Sequence, residues 1–318
     1  MMKIKSHQIS IIMPVHNGES TLPKALESLL CQSRRFDELI IVDDASSDDS
    51  IIVVKECLNE RDYKFIKNER CHGLAAAYNR GIKISKGDLI ITLHQDVVLE
   101  RDSLERLIAP FSNDRVVAAS HVVVHPLDIW KKYNFWQKCF FSRLVGKNFS
   151  GIDGKFDAFR KSALEKAGLF DEKHFRTAGE DSDMVCKLER IGKISETQAE
   201  IIHLHKIDPR FSWKEIIRKQ AQYSEAQGTL LRLGRLQNIK TLAKAFFREI
   251  LILALLFSYL RIVSVVLILL YSFLYTKLVY LNEYKNGRIL VLPFFNIFLL
   301  FVSIVYSTRG FIYGKQRI

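Results

Sequence analysis

Residues Asp88–Glu100 read DLIITLHQDVVLE. Five apolar and β-branched residues, Leu89–Leu93, follow Gly87-Asp88 and end in the polar run His94-Gln95-Asp96. A run this short and apolar, with helix-like patterning on either side, reads as a strand buried on both faces of a parallel sheet. Open α/β sheets bind ligands at the carboxyl ends of their strands, where Asp96 would sit. A carboxylate there, with an imidazole two residues earlier, can hold a divalent metal against a phosphate. It can equally be a solvated strand-end turn.

Upstream, Ile9–Val15 (ISIIMPV) is the first buried strand, and Pro14 near its end signals a sheet edge or a strand terminus. His16-Asn17-Gly18 opens the loop that follows. Ser20 or Thr21 can cap the next helix, with Pro23 in its first turn and Leu22, Leu26, Leu29 and Leu30 on one face. Glu38–Asp43 is the second strand. Of the acids behind it, Asp48 suits a helix cap, whereas Asp44 lies at the strand mouth beside His16, placed to bond a base or ribose. Tyr63–Lys67 is the third strand, and a helix starts at Leu74.

Downstream come a helix near Asp102–Phe111 and a strand at Val116–Val124. The alternation predicts a parallel, doubly wound α/β sheet. Residues 128–150 are rich in Trp, Phe and Lys (Trp130, Trp136, Phe140), which suits core under a long connection or an acceptor- or membrane-facing surface. Gly151–Arg160 reads as a loop entering a strand. In Thr177–Met184, the acids Glu180, Asp181 and Asp183 fall in the first turn of a helix closed by Gly192, where the helix dipole alone would favour them. Lys193–Leu204 reads as a strand that ends in His203-Leu204-His205. Two histidines at i and i+2 share a face and are metal-ligand candidates at a strand end.

The chain has 318 residues, a formal charge of +12 and 48% hydrophobic residues, all unevenly spread. Between Lys206 and Arg248, ten Lys or Arg face three acids, a balance of +7 just ahead of the first long apolar run. Basic residues flanking apolar spans mark the cytoplasmic side and attract anionic lipid. No nucleic-acid-binding module accompanies the charge, so no nucleic-acid partner is expected. Five cysteines without a CxxC pair indicate reduced, mostly buried thiols, with neither a disulfide framework nor a zinc site. The first apolar run is short and broken by Pro14, so it reads as a strand and not as a signal peptide.

Ile250–Tyr275 holds one charge, Arg261, and at ~39 Å as a helix exceeds a ~30 Å hydrocarbon core, so one tilted span fits. Arg261 is costly in mid-bilayer and can mark a break between an interfacial helix and a shorter span. Ile289–Tyr306 is uncharged and, at ~27 Å, long enough for a second span. Two spans leave the N-terminal domain and the basic tail Thr308–Ile318 together on the cytosolic side. The expected division is residues 1–228 as the α/β domain, 229–249 as a basic juxtamembrane helix or linker, and 250–318 as the membrane region.

Taken together, ISIIMPVHNGESTLPKALESLLCQ, ELIIVDDASSDDS, NERCHGLAAAYNRGI, GDLIITLHQD, FDAFRKSAL and GEDSDM followed by a histidine agree in order and spacing with one family. Over roughly Ile9–Gly228 the chain resembles the membrane-attached family 2 glycosyltransferases, which have the GT-A fold. That resemblance implies a nucleotide-diphosphate sugar as donor, with Pro14, His16 and Asn17 lining the base pocket and Asp44 bonding the base. His72, Asn79 and Gln95 would be further donor contacts. The family's Asp-x-Asp metal motif falls on His94-Gln95-Asp96, so its first Asp is His here. Asp96 and His94 would still bind Mn²⁺ or Mg²⁺, the imidazole favouring Mn²⁺, with His203 or His205 as a third contact. Tyr78 likewise stands where the family usually has a basic residue.

GEDSDM matches the acceptor-site Glu-Asp of the family, with Glu180 and Asp181 catalytic and Asp181 the general base. The implied reaction is inverting sugar transfer to a lipid-linked acceptor, either a polyprenyl phosphate or a lipid-linked glycan, by a protein integral to the cytoplasmic membrane. The alternative is a non-catalytic membrane scaffold that binds nucleotide-sugar and has lost the first metal carboxylate. No GxGxxG follows the first strand, which leaves a nicotinamide-dependent enzyme without its fingerprint.

Overall fold

The computed structural model describes residues 7–59, 61–146, 148–176, 178–236 and 239–317. They form two compact units, the first made of residues 1–125, 147–176 and 180–206, the second of 126–146, 177–179 and 207–318.

The first unit is built on one sheet. Its strands are β1 (Ile9–Val15), β2 (Glu38–Asp43), β3 (Lys64–Lys67), β4 (Leu89–Leu93), β5 (Val97–Leu99), β6 (Val116–Val124), β7 (Phe149–Ser150), β8 (Phe156–Arg160) and β9 (Lys193–His203). They lie in the order β3-β2-β1-β4-β8-β6-β9-β5, with β7 beside β6. β1 and β4 are buried along their whole length, as strands covered by helices on both faces must be.

The parallel expectation holds for the β3-β2-β1-β4 half and for β6 with β9. It fails at β8, which is antiparallel to both β4 and β6, and at β5, antiparallel to β9; the sheet is mixed. β5 starts only three residues after β4, too short for the crossover that parallel pairing needs, so the chain turns and pairs elsewhere. Pro14 meets the second of its two expected places, a strand terminus, and not a sheet edge. β1 pairs with β2 through Pro14 and Val15, but its pairing with β4 stops at Ile12. The missing N–H therefore falls where β4 has already peeled away.

The second unit is helical. Helix Trp213–Arg232 runs parallel to helix Leu292–Tyr313, and Ser224 Oγ meets Ser303 Oγ at 3.0 Å. Glycines permit the approach: a Cβ on Gly228 would lie 1.9 Å from the Ser307 carbonyl oxygen, and one on Gly310 2.0 Å from that of Glu225. Buried Glu225 pairs with Arg309 at 3.1 Å.

Ile250–Tyr275 does not form one span. It breaks at residues 255–257 into helices Phe247–Ala254 and Ser258–Leu274. Phe257 is extended (ψ 118°), and Arg261 Nε donates to the Leu255 carbonyl at 3.1 Å, satisfying a carbonyl that the break exposes. Only Ser264, Ile268 and Ser272 of the 17 residues in the second piece are buried. The second expected span begins later and runs further than Ile289–Tyr306, as helix Leu292–Tyr313 after a 3₁₀ turn at Gly287–Val291. Gly287–Tyr313 is the one element among the described residues long and apolar enough to cross a membrane. The aromatic segment after β6 is core of this unit: Trp130, Phe135, Phe140 and Phe141 cluster with Ile216, Val279, Leu292 and Leu299.

Candidate active site

The polar run after β4 sits at the carboxyl edge of the parallel strands. Asp96 Oδ2 lies 3.0 Å from His203 Nε2, and Asp96 Oδ1 3.9 Å from His94 Nδ1. Strand pairing makes this meeting inevitable, because β5 opens at Val97 directly opposite His203. One ligand atom from each of His94, Asp96 and His203 falls within 4.8 Å of the others. The other ring nitrogens, His94 Nε2 and His203 Nδ1, are buried without a hydrogen-bond partner among the described atoms. His94 Nε2 points at Gly154, where even a Cβ would stay 3.7 Å away.

Burial pushes the Asp96 carboxyl up, but His203, His94 and His205 outweigh it and hold it well below the usual carboxylate range. Burial lowers His94 to about 4, so this imidazole is neutral at pH 7 with a lone pair available. A set of one carboxylate and two imidazoles with orphaned buried nitrogens fits a divalent transition metal such as Mn²⁺. His205 stands one layer out, its ring centroid 3.9 Å from that of His203 and stacked on His125 at 5.9 Å.

A second cluster adjoins the first. His121, in mid-β6, bridges Asp157 (Nδ1 to Oδ1, 2.9 Å) and Asp153 (Nε2 to Oδ1, 3.3 Å). Asp157 Oδ2 accepts the backbone N–H groups of Asp153 and Gly154 at 3.0 and 2.7 Å, and Lys155 pairs with Asp153. Burial would lower His121, but the Asp157 and Asp153 charges raise it above its ordinary value. The network clamps the loop Asp153–Lys155, whose Lys155 carbonyl accepts the His94 backbone N–H at 2.9 Å. Tyr78 closes the floor, fully buried, its hydroxyl donating to the Gly154 carbonyl at 2.7 Å. None of His121, Asp153, Lys155 and Asp157 was singled out from the sequence. A histidine inside a strand reads as core, and only the charge density of GIDGKFDAFR could have flagged the loop.

Glu180 and Asp181 begin helix Glu180–Leu188. Burial raises Glu180 to about 7, with the Asp181 charge adding to it. Burial also raises Asp181, and the Asp153 and Asp157 charges act in the same direction, against the Ser182 N–H and the Lys155 ammonium.

The donor-side residues divide. His16 and Asn17 are exposed at the mouth of β1, and Asn17 adopts a positive φ of 51° with Oδ1 accepting from Ser47 N at 2.8 Å. Gln95 stitches this loop to the metal run: its Oε1 accepts from His16 N and its Nε2 donates to His16 O, both at 2.9 Å. Gly18 is required beneath it, because a Cβ there would lie 2.4 Å from the Gln95 amide. Pro14 is buried in β1.

Asp44 is buried and its carboxylate is fully engaged. It accepts from Asn68 Nδ2 (2.7 Å), His72 N (2.9 Å), Gly73 N (2.8 Å) and Cys71 Sγ (3.2 Å). Burial pushes its carboxyl up, but the His72, Asn68, Gly73 and Cys71 donors together bring it below the ordinary value. His72 lines a cleft of about 510 Å³ with Lys67, Glu69, Arg70 and Arg80. Asn79 is not brought to the cluster. Its amide bonds Phe170 O, Phe170 N and Glu172, tying helix Leu74–Ile84 to the loop after Gly168. All five cysteines are free, and only Cys139 is buried.

Comparison with known proteins places this geometry. The Glycosyl transferase family 2 profile matches residues 10–168. The chain belongs to that family. Within the family it is 34% identical over 110 residues to the undecaprenyl-phosphate 4-deoxy-4-formamido-L-arabinose transferase of Proteus mirabilis, covering 33% of this chain and 34% of that protein. It is 26% identical over 220 residues to the O-antigen chain rhamnosyltransferase RfbN of Salmonella typhimurium, covering 64% and 68%. The chain thus spans about a third of the first of these relatives. Among solved structures, the mannosyltransferase PcManGT from Pyrobaculum calidifontis, in complex with GDP-Man and Mn²⁺, aligns over 98% of this chain and 88% of its own at 16% identity, TM-score 0.62. The mixed sheet is accordingly of the GT-A type.

Proposed function

We propose that the protein is an inverting glycosyltransferase that moves a sugar from a nucleotide-diphosphate donor to a lipid-linked acceptor at a membrane surface. The observation that carries the reading is the convergence of His94, Asp96 and His203, with ligand atoms within 4.8 Å, in a family 2 fold whose Asp181 feels the charges of Asp153, Lys155 and Asp157. The exposed loop at His16 and Asn17 and the basic cleft lined by Lys67, Arg70 and Arg80 suit the nucleotide half of the donor. His94, Asp96 and His203 would hold Mn²⁺ or Mg²⁺, which when bound neutralises charge on the departing diphosphate.

Asp181 takes the proton of the acceptor hydroxyl as that oxygen attacks the anomeric carbon from the face opposite the diphosphate. A carboxylate suffices, because the hydroxyl acidifies as its bond to carbon forms. Its raised affinity for the proton, caused by burial and the Asp153 and Asp157 charges, makes it a better base than a free aspartate. The Ser182 N–H and the Lys155 ammonium act against this rise.

The lipid-linked acceptor and the membrane location rest on the second unit. Its helix Ser258–Leu274 leaves all but three of its residues incompletely covered, among them Tyr259, Ile262, Val263 and Val266 at more than half exposure. An apolar surface of this extent belongs against lipid. Ala178, two residues ahead of Glu180, donates its N–H to Gln316 Oε1 at 3.3 Å. In the Proteus mirabilis relative, the named acceptor is undecaprenyl phosphate.

The test is release of nucleoside diphosphate from a panel of UDP-, GDP- and dTDP-sugars with Mn²⁺, with and without membrane lipid extract, on the full chain and on Asp181→Asn and Asp96→Ala. Lipid-stimulated release from one donor, lost in both variants, establishes the reading. Nucleotide binding without release from any donor would instead support the scaffold.

A further inference from the structure

We infer that helices Ser258–Leu274 and Leu292–Tyr313 lie in the plane of one leaflet, as a monotopic attachment to anionic lipid, and do not cross the bilayer. This deepens the membrane attachment proposed above and is independent of the chemistry.

The first observation is the neighbour that helix Leu292–Tyr313 keeps. Helix Trp213–Arg232 runs beside it in the same direction, from the shared cluster of Ile216 with Leu292 and Leu299, through Ser224–Ser303 and Glu225–Arg309, to Arg232 over the Phe311 ring at 5.7 Å. That neighbour carries Lys214, Glu215, Arg218, Lys219, Glu225 and Arg232. Each such charge costs ~2.5–3.5 kcal/mol at a bilayer centre. If the apolar helix crossed, the charged one would cross with it. The close seam at Gly228 and Gly310 leaves no room for lipid between them.

The second is where the connection between the two apolar helices packs. Tyr275–Phe295 lies against segment 126–146: Lys138 pairs with Glu283, Leu278 N donates to Ser142 Oγ at 3.1 Å, Trp136 meets Phe295 at 5.3 Å between ring centres, and Arg143 sits 5.3 Å over the Tyr275 ring. Segment 126–146 is joined at both ends to strands of one sheet, β6 and β7, and its 21 residues are too few to cross a bilayer and return. A crossing hairpin would carry its connection ~30 Å away, to the far side.

The third is the distribution of surface. Phe294, Phe298, Phe301, Val305 and Ile312 form one exposed apolar stripe down the whole of helix Leu292–Tyr313, opposite the face that meets helix Trp213–Arg232. The opposite face is buried against helix Trp213–Arg232, so this helix meets its surroundings through the apolar stripe on one side only. Basic residues stand at both ends, with Lys277, Lys285 and Arg288 at one and Arg309, Lys315 and Arg317 at the other. A spanning hairpin would carry the excess on one side only, whereas an in-plane element meets anionic headgroups throughout.

Lys285→Cys and Lys315→Cys, each in the full chain in bacterial inner-membrane vesicles, are labelled with a membrane-impermeant maleimide from either side. The exposed native thiols Cys31 and Cys71 mark the catalytic side. Positions 285 and 315 are expected to react from that same side and neither from the other; labelling of 285 from the opposite side overturns the inference. As a second measurement, fluorophores on Phe294→Cys and Ile312→Cys are quenched by nitroxide lipids in phosphatidylglycerol vesicles. In-plane helices place both within the outer ~10 Å, whereas a crossing helix separates their depths by ~27 Å. A protein that ignores vesicles and dimerises through this face would refute the lipid assignment. None of these readouts involves donor or acceptor, so a failed transfer assay leaves them standing.

Discussion

Asp44→Asn is nearly isosteric, yet the structure predicts a large and localised effect. The carboxylate accepts four donors: Asn68 Nδ2 at Oδ1, His72 N at both oxygens (2.9 and 3.1 Å), and Gly73 N and Cys71 Sγ at Oδ2. An amide has only one acceptor oxygen. In one flip its NH₂ group confronts Gly73 N and Cys71 Sγ, in the other Asn68 Nδ2 and the shorter of the two His72 N contacts, so either flip removes the acceptor of at least one donor. Losing one charge-assisted bond costs about 1.5–3 kcal/mol, and leaving its buried donor unsatisfied about 1–3 kcal/mol more. We expect roughly 3 kcal/mol, about a hundredfold in the opening equilibrium of loop 68–73 at ~1.4 kcal/mol per decade.

Native-state hydrogen exchange of the His72 and Gly73 amides, with the urea midpoint beside it, measures this directly. The wild type carries a further signature. Because the folded carboxyl is held below its unfolded value near 3.9, its contribution is fully present above that pH and is lost as pH falls through the folded value. The variant lacks that acid-side loss. Unchanged exchange and midpoint, with nucleotide affinity alone collapsing, would refute the reasoning and return Asp44 to a direct contact with the base.

Asp181→Asn should reduce transfer by about 10²–10⁴-fold, with donor affinity retained in equilibrium binding. The acid limb of kcat/KM should lie above the ordinary aspartate value of ~3.9, because burial and the Asp153 and Asp157 charges raise Asp181; a limb at or below that value would remove it as the base. Chelation followed by metal titration should restore release better with Mn²⁺ than with Mg²⁺, and His94→Asp should narrow that preference by supplying oxygen in place of nitrogen. Gly228→Ala should destabilise by roughly 1–3 kcal/mol or more, read as a lower thermal midpoint, since its methyl would meet the Ser307 carbonyl.

The strands that position the site were legible because burial on both faces leaves its mark in composition. Leu89–Leu93 and Val116–Val124 appear where the pattern puts them. The direction of β8 was not legible: Phe156–Arg160 has the same residues whichever way it pairs, and long-range partners decide. In the site, Asp96 and His203 could be named from their places at strand ends. The choice of His203 over His205 for the cluster came only from the register of β5 against β9. The His121 cluster stayed hidden because its members lie far apart in sequence and each reads blandly alone. The break at residues 255–257 was half visible in Arg261, whose charge pointed to an interruption without locating it.

The double bond between the Gln95 amide and the His16 backbone has a thermodynamic corollary. Gln95 sits between His94 and Asp96, so the loop proposed to face the nucleotide cannot shift without moving the residues proposed to hold the ion. Two sites joined this way share their ordering entropy, and the ligand that arrives first lowers the cost for the second. Linkage then demands symmetry: whatever factor the ion adds to nucleotide affinity, the nucleotide adds to ion affinity. Gln95→Ala should bring that shared factor towards one while leaving both sites present, read as a nucleotide affinity that no longer depends on the ion.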